Sequence, residues 1–204
     1  MLSADDIVEL HDRLTESWHG SAGVADGAEK TGWLTLVAAQ HNANLELWHI
    51  EDEARTPGCT DAELAAVKRR VDTTNQRRND LAEALDRALL DSIQPRGLPY
   101  CDAPLNSESP GLMIDRLSIL ALKIYHTREE AERAGAPEGH AGRNRARLAI
   151  LEEQRADLAC CLDSLWRETL AGTRRFKLYR QLKMYNDPSL NPAVYRKRVQ
   201  EPGR

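Results

Sequence analysis

Residues 104–126, PLNSESPGLMIDRLSILALKIYH, constrain the fold more than any other stretch. Ser109-Pro110 reads as a helix start. The serine hydroxyl can accept from an orphan amide as N-cap, and proline at the first helical position forfeits no intrahelical bond. Beyond it, Ile114, Leu117, Ala121 and Ile124 form one stripe, while Asp115, Ile119, Leu122 and His126 form a second. A surface helix needs one apolar stripe, so a helix with two is packed from two sides. It is either the central helix of a bundle or half of a homodimer interface. Arg116, Lys123 and Thr127 share the narrow polar edge.

The rest of the chain reads as helices cut to pack against it. The first spans Ala4 to Trp18, with Ser3 as cap, Asp6 as a capping-box partner and a stripe of Ile7, Leu10, Leu14 and Trp18. Gly20 to Gly27 is a loop. A second helix runs from Thr31 to Arg55 and is stopped by Pro57-Gly58; its seam is Leu34, Ala38, His41, Leu45, Trp48 and Asp52. A third begins after Thr60 and ends near Ser92, with a seam of Leu64, Val67, Val71, Thr74, Arg78, Leu81, Leu85 and Ala88. The central helix ends near Arg133, and AGAPEGHAG (134–142) is a turn. A fifth helix covers Arg143 to Leu170, with Leu148, Leu151, Arg155, Leu158, Leu162 and Leu165 on its seam. A short helix over Arg175 to Met184 closes the pattern. Seams at three-four spacing imply an all-α antiparallel bundle of about five long helices, packed at shallow angles. Residues 1–171 form the bundle domain, and 172–204 a basic segment docked on it or extending from it.

Composition excludes several classes of function. No apolar run among the 204 residues approaches the ~18 needed for a membrane span. MLSADDIVEL carries acids where a signal peptide has a basic start, which points to the cytoplasm. Cys59, Cys101, Cys160 and Cys161 form no C-x-x-C pair and read as reduced thiols. From Gly172 onward nine Lys/Arg face two acids, whereas the whole chain has a net charge of −4. An acidic body with a basic tail and no basic recognition helix is no nucleic-acid-binding design.

Function is suggested where the seams are broken. His41, Asp52, Arg78, Asp115 and Arg155 all fall on positions expected to be apolar, with Asn75 beside Arg78. Buried charges must be paired and hydrogen-bonded. One reading is a closed ion-pair network of Arg78 and Arg155 against Asp115 and Asp52. The other is a pocket between helices, in which the two guanidiniums grip a carboxylate or phosphate, His41 with Asp52 or Asp115 moves a proton, and Asn75 and Asn106 orient the substrate. Lys177 and Arg180, with Lys183, form a basic edge that could clamp a phosphorylated ligand. Glu46-x-x-His49 supplies one copy of the E-x-x-H that di-metal bundles use twice, and no other helix supplies the second, so no metal and no cofactor is assigned. The phosphate-binding, dinucleotide-binding, zinc-protease and serine-elbow motifs are absent.

WHIEDEAR, NQRRND, LNSESPGLMIDRLSILALKIYH, EQRADL and YRQLKMYNDPSLNP, in this order, resemble the bacterial family known as domain of unknown function 4254, over residues 5 to 195. The resemblance implies an all-helical bacterial cytoplasmic protein, in a setting of glycan or secondary-metabolite genes. It assigns no catalytic residue. Two functions follow. One is an enzyme for a small anionic metabolite (a phosphorylated sugar, nucleotide or amino acid) bound inside the bundle. The other is a non-catalytic protein partner or accessory subunit of a glycan or secondary-metabolite biosynthetic enzyme. The first requires Arg78 and Arg155 to converge on one point. The second requires an exposed apolar patch on the central helix or beside Trp33 and Trp48.

Overall fold

The computed structural model describes residues 2–20, 32–182, 189, 190 and 192. Its elements are five helices, α1 (Ala4–His19), α2 (Trp33–Glu53), α3 (Asp61–Ile93), α4 (Pro110–Glu132) and α5 (His140–Leu170), with one 3-10 turn at Gln94–Arg96. The fold is all-α. Ser3 caps α1 by accepting from the Asp6 amide, and Thr60 with Glu63 makes a complete capping box at α3. α5 starts at His140, three residues before the expected Arg143, directly after Gly139 at φ 76°.

α4 packs against all four other helices, so the two-striped segment is the central element of one chain. Between Pro110 and Thr127 only Arg116 and Lys123 are exposed. Ion pairs give the helix directions. Glu53 meets Arg70 and Glu46 meets Arg77, so α2 and α3 are antiparallel. α4 and α5 are antiparallel through Arg128–Glu152 and Glu130–His140. α1 and α2 instead run the same way, because His11 stacks on His41 and Trp18 on His49.

Two expectations change. Residues 175–182 form no helix, and Met184 lies outside the described residues with Lys183 and most of the Gly20–Gly27 loop. The Arg175 amide donates to the Pro104 carbonyl (3.0 Å), its carbonyl accepts from Asn106 (2.7 Å), and Phe176 is buried. Tertiary pairing with the loop before α4 overrides helix propensity here.

The second change concerns the start of α4. The Ser109 hydroxyl makes no cap bond to its own helix. It donates to Asp86 Oδ2 of α3 (2.5 Å), while Asp86 Oδ1 accepts from the Gly111 amide (2.6 Å). The cap is therefore a carboxylate from the neighbouring helix, placed at the positive end of the α4 dipole. It is reachable because Gly111 has no side chain: a Cβ there would stand 2.3 Å from the Ala82 carbonyl oxygen and 2.9 Å from Asp86.

Gly111→Ala is expected to destabilise the chain by about 2 kcal/mol or more, by forcing α3 and α4 apart. Gly142→Ala, where an added Cβ meets nothing within 4 Å, should gain up to about 1 kcal/mol. Urea titration of the two variants measures both. Burial pushes Asp86 up to about 6 against the bonds from Ser109 and Gly111. The folded chain thus holds this proton more tightly than the unfolded one, and its contribution is full below the unfolded value and lost as pH rises through 6. The stability of wild type relative to Asp86→Asn should fall by about 2 kcal/mol between pH 4 and pH 7, read from urea midpoints at each pH.

Candidate functional site

Gln40, His41 and Asn44 lie on one face of α2, Arg78 on α3, and Asp115 and Ser118 on one face of α4; all but Arg78 are buried. Asp115 is the hub. Arg78 clamps it with Nε to Oδ1 (2.7 Å) and Nη2 to Oδ2 (2.5 Å). Gln40 Nε2 (2.5 Å) and Asn44 Nδ2 (3.1 Å) also donate to Oδ1. The bonds to Asp115 raise the Arg78 pKa against the effect of burial.

A relay continues from Asn44, whose amide also donates to Ser118 Oγ (2.9 Å). Ser118 Oγ lies 2.8 Å from His41 Nδ1, and His41 Nε2 lies 3.0 Å from Thr15 Oγ1 of α1. The Thr15 hydroxyl donates to the His11 carbonyl (2.8 Å), so it must accept from His41. That assigns the proton of His41 to Nε2, with Nδ1 accepting from Ser118. Both ring nitrogens are consumed in a residue with no exposed surface. His11 stacks on His41 at 4.6 Å. Burial, then His41 and Arg155, hold its pKa well below the usual value.

Beside this network a cavity of ≈ 400 Å³ opens between α2, α3 and α4, lined by Asn44, Leu47, Trp48, Glu51, Asp52, Arg55, Arg78, Ile119 and Leu122. Leu47, Trp48, Ile119 and Leu122 form apolar walls, and Asn44 and Arg78 connect the cavity to Asp115. At the rim Arg55 pairs with Glu51 and Asp52, at 3.4 Å each.

Of the residues expected at a site, His41, Arg78 and Asp115 come together, and Asp52 reaches the cavity rim. The rest do not join them. Arg155 binds Asp12 of α1 through Nη1, at 2.7 and 2.9 Å, so the two arginines serve different carboxylates. Asn75 is half-buried and does not line the cavity. Asn106 holds its own turn by donating to the Glu108 carbonyl (2.7 Å). Lys177 and Arg180 are exposed on the non-helical segment after α5. Glu46 turns to Thr74 and Arg77 rather than to His49. Gln40, Asn44 and Ser118 were not anticipated. The signal for the first two was QHNAN, a polar run in a helix expected to be buried.

The fold and this network define an all-α protein with a polar hub inside its helices. Residues 34–178, most of the chain and every residue around the hub except His11 and Thr15, match the model of a family described as protein of unknown function (DUF4254), and the chain belongs to that family. No curated protein and no solved structure matches it. Among the described residues no helix is long and apolar enough to cross a membrane.

Asp115→Ala or Arg78→Met alone should each cost about 3–5 kcal/mol, because each strands a desolvated charge. The double variant should cost less than the sum of the two, with a coupling of at least about 1 kcal/mol in urea unfolding.

Proposed function

We propose that the chain binds a small anionic metabolite with an apolar portion in the cavity between α2, α3 and α4. Arg78 carries this reading. Its Nε and Nη2 are fixed by Asp115 while the same residue lines the cavity. A guanidinium already held in place loses little freedom when it meets a ligand, and its planar fork suits a carboxylate or phosphate. Apolar walls with a few convergent polar groups are the usual make-up of a small-molecule site. Within the lining, Arg55 and Arg78 balance Glu51 and Asp52, so directional bonds rather than a strong field would select the ligand.

The sealed position of His41 supports binding over proton transfer at that residue. An accessory subunit docking through the central helix gains no support, since α4 is covered on nearly every side. Binding of a phosphorylated sugar, nucleotide or amino acid remains the proposal, with Asn44 replacing Asn75, Asn106 and Arg155 as the polar partner of Arg78.

Thermal-shift screening of the full chain against those three ligand classes tests it. A ligand at 100 times its Kd adds about 2.7 kcal/mol to the folded state, which raises the Tm of a chain this size by about 5–10 °C. Leu47→Trp fills the cavity without touching Arg78 or Asp115, and should abolish the shift while keeping the wild-type helix signal in circular dichroism. An equal shift in that variant, or no shift with any class, overturns the proposal.

A further inference from the structure

The cavity beside Arg78 has two electrically different ends. At one, Arg78 and Asn44 meet on Asp115. The bonds from Arg78 use Nε and Nη2, and Nη1 takes part in neither. At the other, Glu51 and Asp52 stand in the last turn of α2, a turn with no basic residue of its own. The negative end of the helix dipole adds to their charge, so this end attracts a cation. Between the two lie Leu47, Trp48, Ile119 and Leu122. Trp48 is backed by a histidine cluster. Its ring stacks on His126 of α4 at 4.9 Å, and His126 in turn has His19 of α1 at 4.9 Å and His49 of α2 at 6.4 Å. One wall is thus an aromatic surface braced from behind.

The acidic end already holds a cation, loosely. Arg55 reaches Glu51 and Asp52 at 3.4 Å each, with its side chain 68% exposed. Exposed pairs of this kind contribute little, so a ligand cation can exchange with Arg55 and leave it to water. Charge then separates the ligand classes. With Asp115 included, the site sets Arg55 and Arg78 against Glu51, Asp52 and Asp115, two positive groups against three negative. A phosphate monoester brings about −1.5 to −2 at pH 7, into a site already negative on balance. A zwitterion brings no net charge and one group of each sign.

We propose, on the footing that this cavity is the small-molecule site described above, that its ligand is a free α-amino acid with a large apolar side chain. The carboxylate binds Arg78, the ammonium binds Glu51 and Asp52, and the side chain lies along Trp48 and its apolar neighbours. The spacing suits so short a zwitterion. Asn44 and Asp52 are eight residues apart on α2, about 12 Å along the axis. Helical side chains lean toward the N-terminus, which carries both carboxylates back toward the Arg78 end. A guanidinium–carboxylate contact, the N–Cα–C link and an ammonium–carboxylate contact together span about 9–10 Å.

Calorimetric titration of the full chain at pH 7.5 tests this. The probes are L-leucine, L-phenylalanine and L-tryptophan, with AMP and glucose 6-phosphate for the phosphorylated classes. At least one amino acid should bind with a Kd below about 100 µM. Its deaminated acid and its carboxamide, each missing one charge, should bind at least about 10-fold more weakly. Asp52→Asn should weaken the amino acid by at least about 5-fold, and Arg55→Met, which removes the competing cation, should strengthen it by about 3-fold. Both side chains are mostly exposed, at 59% and 68%, so neither change disturbs the core. Binding of AMP or glucose 6-phosphate without any amino acid overturns this assignment and leaves the cavity reading standing. So does a deaminated acid that binds as tightly as its amino acid, or Arg55→Met with no gain. No binding by any probe overturns both, as does amino-acid binding that Leu47→Trp leaves intact.

Discussion

A carboxylate inside a helical bundle holds the structure together. Asp115 is 8% exposed, and an isolated charge there would be prohibitive. It is tolerated because four donor bonds reach it from two other helices, two from Arg78 on α3 and one each from Gln40 and Asn44 on α2. This sets the register of three helices at once. α3 and α4 are pinned again one turn back along α4, where Asp86 takes the amide of Gly111 and the hydroxyl of Ser109. Two carboxylates of opposite origin, one from each helix, thus fix a single interface. Sliding α3 along α4 by one residue would break both sets of bonds.

The five long helices were legible in the sequence, as was the burial of residues 104–126 from two sides; a buried carboxylate at Asp115 facing a buried arginine was one of two readings, with its partner open between Arg78 and Arg155. These depend on stripes and caps, which are local, and on the rule that a buried carboxylate seeks the nearest buried guanidinium. What was not legible depends on how helices are placed. Arg155 occupies a seam like that of Arg78, but its neighbour is α1, where Asp12 supplies the carboxylate. The common direction of α1 and α2 has no local signature. The stripe on α3 shifts to Ala82, Leu85, Leu89 and Ile93, one position round from the seam at Leu81, and that turn brings Asp86 inward. The absence of a helix at 175–182 begins with the pairing of Arg175 with the loop at 103–106, which helix propensity cannot reveal. The histidine cluster draws one residue from each of three helices, with no spacing in the sequence to announce it.

Thr15 connects the two polar regions of the interior. Its hydroxyl accepts from His41, and its carbonyl accepts from His19. On α1, His11, Thr15 and His19 follow at four-residue spacing, so they form a single polar stripe turned toward α2 and α4. Next to the middle of that stripe both nitrogens of His41 are partnered, and Asp115 takes four donor bonds. A closed network of this kind orders helices and has little left to offer a ligand. At the outer end, bare Nε2 atoms accumulate on His19, His49 and His126. His11 also lacks partners on both nitrogens, and it stacks on His41, whose own nitrogens are satisfied. Arg78 is intermediate, bound to Asp115 and also among the residues that line the cavity.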